Sequence, residues 1–79
     1  MQIYQDYSPV QDATSFAVAS LIGKDILEVV KDGIGFCKII TSGTPVSKEV
    51  KYTSSTGTFE FAIPFDSGEE SPYVLYQDI

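Results

Sequence analysis

Seventy-nine residues and 8.6 kDa leave room for one domain. Hydrophobic residues make up 43 % and charged residues 20 %, a balance that excludes a wholly disordered chain. Eleven acidic residues stand against five lysines, with no arginine and no histidine, so the net charge of −6 excludes a phosphate-neutralising patch for nucleic acid and disfavours docking on anionic lipid.

Residues 1–14 are polar, with Ile3, Tyr4, Tyr7 and Val10 scattered through them and Pro9 in the middle. They read as an extended N-terminal arm with no period of its own. The first residues carry neither a positive charge nor an apolar core, unlike a signal peptide, and no apolar run approaches the ~20 residues of a membrane span. The expectation is a chain made in a reducing cytosol that stays there unless a larger particle carries it out.

Residues 15–22 (SFAVASLI) leave two readings open. The alanines, with Thr14 or Ser15 as cap, suit a short helix. Their length favours a strand ended by Gly23, with Phe16, Val18 and Ser20 on one face. Residues 26–31 (ILEVVK) are a β-branched strand bounded by Asp32-Gly33, a dipeptide suited to a two-residue hairpin turn with positive φ at Gly33. Residues 34–41 (IGFCKIIT) form the return strand, broken by Ser42-Gly43-Thr44-Pro45. Residues 49–53 alternate with Val50 and Tyr52 inward, and residues 58–63 alternate again with Phe59, Phe61 and Ile63 on one face. Pro64 closes that strand, an acidic turn spans residues 66–72, and residues 73–77 make the last strand.

This order predicts an all-β fold: a small antiparallel β-sandwich or barrel of about six strands over residues 15–79, preceded by the arm. The period of two predicts a core of Val18, Leu27, Val29, Phe36, Ile40 and Val50, continued by Tyr52, Phe59, Phe61, Ile63, Val74 and Tyr76.

Catalytic, cofactor and metal sites are not expected. Cys37 is the only cysteine, so no disulfide forms within the chain, and without histidine it has no base to activate it. It reads as an inert structural thiol. Gly33-Ile34-Gly35 lacks the third glycine and the helix of a dinucleotide fingerprint. Asp66, Glu69 and Glu70 lack the alternation of a calcium loop and read as a solvated turn. Two neighbouring carboxylates on one turn also lack the cleft-spanning separation of a glycosidase pair. Of the five tyrosines, Tyr52 and one of Tyr73 and Tyr76 suit the core. Tyr4 and Tyr7, with Ile3 and Val10, are the candidate partner-binding residues, since the arm has no core of its own to bury them. A chain this small with no staple gains burial by associating with other chains.

Across residues 25–77 the features resemble a β-domain common in bacteriophage virion proteins of tail fibres, head fibres and head-to-tail components. Leu27-Glu28-Val29-Val30-Lys31-Asp32-Gly33 is similar to that family's strand and turn. Tyr52-Thr53, then Gly57-Thr58-Phe59-Glu60-Phe61, follow in the family's order. Pro64-Phe65-Asp66-Ser67-Gly68-Glu69 and Val74-Leu75-Tyr76 complete it. The Ser71-Pro72 insertion departs from the pattern, and no trimeric shaft or receptor-binding tip is present. The resemblance implies a non-enzymatic structural protein of the virion, associated with capsid or tail. It would act through protein–protein contacts with other virion chains, as a homo-oligomer or within a larger assembly. The alternative is a carbohydrate-binding or adhesion module, which needs a flat exposed row of aromatics on one sheet face.

Overall fold

The computed structural model describes residues 2–5, 10–32 and 34–77. In chain order its strands are β1 (Gln2–Tyr4), β2 (Ser15–Ala17), β3 (Asp25–Lys31), β4 (Gly35–Ile40), β5 (Glu49–Thr53), β6 (Thr58–Phe61) and β7 (Tyr73–Gln77). A single 3₁₀ turn, Ala19–Leu21, separates β2 from β3. Residues 15–22 thus divide between the two expected readings. A three-residue strand buries Phe16, and a helical turn buries Leu21.

The all-β class is as expected, but the architecture differs. Among the described residues seven strands make one mixed sheet, ordered β1-β7-β3-β4-β5-β6-β2 and curled into a half-barrel, in place of an antiparallel sandwich or barrel of about six. One reason lies in β4, which changes partner midway. Gly35–Cys37 pair antiparallel with β3, whereas Lys38–Ile40 pair parallel with β5. The break at residues 42–45 ends β4 as its residue types require, yet a break does not dictate the direction of the strand that follows. The second reason is the expected arm. Its residues 2–4 pair antiparallel with β7 as an edge strand, and Asp12, Ala13 and Thr14 bond along residues 61–65.

Two local features set which side chains face inward. A β-bulge in β3 shifts the register between Ile26 and Glu28, so Ile26 packs against the core in phase with Val29 and Leu27 is only half-buried. In the β3–β4 hairpin, Lys31 pairs with Gly35, leaving residues 32–34 in the loop instead of two residues. Gly35 carries a positive φ of 87°, and Gly33 lies outside the described residues. Val29 pairs with Cys37 across this hairpin. Cys37 therefore faces inward and Phe36 outward, the reverse of the expectation for Phe36.

The core is a run of aromatic rings. Tyr52 lies 5.0 Å from Phe59, Phe59 stacks at 5.2 Å on Phe16, and Phe61 meets Phe65 edge-on at 5.6 Å. Val29, Val50, Val74 and Leu21 fill the space around them without exposure. Ile63, expected inside, lies past the end of β6 and is exposed, since alternation stops at Phe61 and Phe65 takes the buried place. Ile40 and Tyr76 are half-buried. The Tyr52 hydroxyl donates to the backbone carbonyls of Leu21 at 2.5 Å and Lys24 at 3.3 Å, tying the helical turn to β5.

Candidate interaction surface

A half-barrel has an inner face, which holds the core, and an outer face, which meets solvent. An antiparallel sheet with one wet face should alternate apolar inward and polar outward. The β5–β6–β2 half obeys this. Lys51 and Ser15 both pair with Glu60, and Thr58 pairs with Thr53 and Ala17, so the outward row is polar with one alanine.

The β1–β7–β3–β4 half does not. Tyr73 pairs with Val30 and Val30 with Phe36, which puts three apolar or aromatic side chains in one row across three strands. Leu75, on the same face of β7 as Tyr73, pairs with Ile3 of β1. Phe36 is 72 % exposed and Ile3 57 %. Their inward neighbours Cys37, Val74 and Tyr4 pack on the core, whereas among the described residues of the outward set Phe36 and Ile3 are exposed and Val30, Tyr73 and Leu75 half-buried.

At the hairpin end of this half lies a buried ion pair. Lys31 occupies an inward position of β3 beside Val29, with its Nζ 2.8 Å from Glu69 Oε2 and both side chains at most 5 % exposed. The ammonium also sits 4.9 Å from the Phe65 ring centre. Glu69 Oε1 accepts the Asp66 backbone N–H at 2.9 Å, and Asp32 Oδ2 accepts that of Glu70 at 3.2 Å. The acidic turn is therefore clamped over the end of the half-barrel instead of standing free. At the opposite end an open cleft of about 340 Å³ lies between Ile26 and Ile39, where the β3–β4 ladder has ended, with Tyr52, Thr41 and Ser54 among its walls.

The expected partner residues scatter. Ile3 joins the apolar outer row, whereas Tyr4 is half-buried and turned toward the chain's own core. Val10 is 62 % exposed in the connection from β1 to β2, away from any strand, and Tyr7 lies outside the described residues. Cys37 is buried, and burial pushes its thiol above the ordinary cysteine value, with the Lys31 backbone and charge opposing this more weakly. Such a thiol is a poor nucleophile. Among the described residues no group of histidine, cysteine and carboxylate side chains is arranged to hold a metal ion, and no helix is long and apolar enough to cross a membrane.

Phe36 was legible as outward from one signal. Phe36 and Lys38 are two residues apart on a strand and share a face, and the lysine belongs in water. No family model, curated protein or solved structure matches the chain.

Proposed function

We propose that this chain is a non-enzymatic structural component of a phage virion, made in the host cytoplasm and built into the particle as a capsid- or tail-associated assembly or decoration protein. It acts by laying the outer face of β1–β7–β3–β4 on another virion chain. The observation that carries the contact reading is the difference between the two outer faces, one polar and one lined by Ile3, Leu75, Tyr73, Val30 and Phe36. Apolar side chains left open in one row on a small fold mark a place of contact, and in this row Phe36 and Ile3 are exposed and Val30, Tyr73 and Leu75 half-buried. Covering Phe36 alone contributes about 1.5–3 kcal/mol. The particle class comes from the resemblance of residues 25–77 to virion β-domains. A sugar-binding module needs a flat row of exposed aromatics, and among the described residues Phe36 is the one exposed aromatic.

The test compares Phe36→Ser with Lys51→Ser, a change on the polar half. Each variant is produced during infection or particle assembly in its native source, and the fraction sedimenting with particles is measured. Phe36→Ser should stay folded by circular dichroism and remain in the light fractions, while Lys51→Ser sediments like the parent chain. Equal sedimentation of all three proteins overturns the reading.

A further inference from the structure

We infer that the partner on this face is basic: a segment of another protein that sets an apolar side chain against Phe36 between lysines or arginines. The inference rests on the contact reading above and adds the partner's chemistry. Its ground is the charge around the Tyr73–Val30–Phe36 row. The row lies at the hairpin end of the sheet, one rung from the Lys31–Gly35 pair that closes the ladder. Asp32 follows β3 directly, and its carboxylate holds the Glu70 backbone, so the 66–70 turn is fastened beside the same end. Asp32, Asp66 and Glu70 are all exposed there. The lysine at this end cannot offset them, because Lys31 is buried and committed to Glu69. On the far side of the row, Glu28 stands against Lys38 and Lys48, whose carbonyl accepts the Lys38 N–H at 2.8 Å, which reduces the acidic excess without cancelling it. A second copy of this chain would bring a further −6 and the same acidic end against it. Opposite charge around an apolar anchor raises the association rate and rejects acidic competitors.

Two synthetic peptides of equal length serve as probes, one alternating lysine with phenylalanine and valine, the other with glutamate in place of each lysine. Each is titrated into the ¹⁵N-labelled full chain and followed by amide chemical shifts. The lysine peptide should perturb Val30, Phe36, Tyr73 and Glu70 and leave Lys51 and Glu60 unmoved, while the glutamate peptide perturbs nothing. Binding should weaken about tenfold in Phe36→Ser, and also when salt is raised from about 0.02 to about 0.3 M. It should weaken likewise in Asp32→Asn, whose amide oxygen can still accept the Glu70 N–H, combined with Asp66→Asn and Glu70→Gln. Equal binding of both peptides overturns the basic partner and leaves the contact surface standing. Dimerisation of the free chain that Phe36→Ser abolishes, seen by light scattering, also overturns it, since a second copy is then the occupant. Shifts centred on Lys51 and Glu60 overturn both the partner and the surface.

Discussion

Replacing Lys31 with methionine keeps most of the side-chain volume and removes the one charge that compensates Glu69. In the folded chain that carboxylate is almost wholly withdrawn from water, with Lys31 Nζ at 2.8 Å from one oxygen and the Asp66 N–H at 2.9 Å from the other. Breaking a buried pair from one side costs about 3–5 kcal/mol, because the orphaned charge keeps its desolvation penalty. A single core in a chain of this size supplies roughly 3–5 kcal/mol of net stability. Lys31→Met should therefore be largely unfolded at 25 °C. The double variant Lys31→Met with Glu69→Gln removes both charges, and the glutamine oxygen can still accept the Asp66 N–H. It should fall within about 1.5 kcal/mol of the parent, for replacing a buried ion pair by neutral groups of similar volume is close to neutral. Urea unfolding followed by tyrosine fluorescence and far-ultraviolet circular dichroism gives all the stabilities, Glu69→Gln alone closing the cycle. A coupling of about 2 kcal/mol or more is expected. Single variants that each lose under about 1 kcal/mol and add without coupling would refute the claim that the pair is buried and clamps the acidic turn.

Three further outcomes follow from the core and its turns. Gly57 has a φ of +67°, and a β-carbon there would collide with the Val18 carbonyl oxygen, so Gly57→Ala should cost at least about 2 kcal/mol by chemical denaturation. Tyr52→Phe leaves the carbonyls of Leu21 and Lys24 without the hydroxyl donor and should cost about 1–2 kcal/mol, again by urea titration. Burial raises the proton affinity of both Cys37 and Tyr52 in the folded chain. The unfolded state therefore loses these protons first as pH rises. Their contribution is complete below the unfolded values and disappears through the folded ones, so the melting temperature should decline from about pH 9 upward. Cys37→Ser with Tyr52→Phe should flatten that decline.

The all-β class and most strand positions were legible because alternation over residues 49–53 and 58–61 is a local property, read without knowing any partner. The inward assignments of Val29, Val50, Tyr52, Phe59, Phe61 and Val74 came from the same period. What failed depended on contacts distant in sequence. The bulge at Ile26 and Glu28 is defined by the register against β7, and without it Leu27 and Ile26 exchange places. The same period assigned Phe36 to the core, although the Val29–Cys37 pairing turns it out. Lys31 sits in a core position that no local pattern would grant a lysine, because its counter-charge comes from a turn far along the chain. The interaction surface was sought in the arm, where a lack of local core suggested a need for cover. Residues 2–4 pair with β7 as an edge strand, so Ile3 joins an outer apolar row whose other members, Leu75, Tyr73, Val30 and Phe36, lie on the regular strands.

The central claim is that the outer face of β1–β7–β3–β4 is covered by another chain when the protein is at work. Hydroxyl-radical footprinting with mass spectrometry, performed on the isolated chain and on the chain within its native assembly, tests this most directly. In the isolated chain Phe36, at 72 % exposure, should be oxidised rapidly and the buried Phe59 hardly at all. In the assembly the oxidation of Phe36 and Tyr73 should drop about tenfold or more, while peptides from the polar half, around Lys51 and Glu60, keep their rates. Unchanged oxidation of Phe36 in the assembled state would contradict the account.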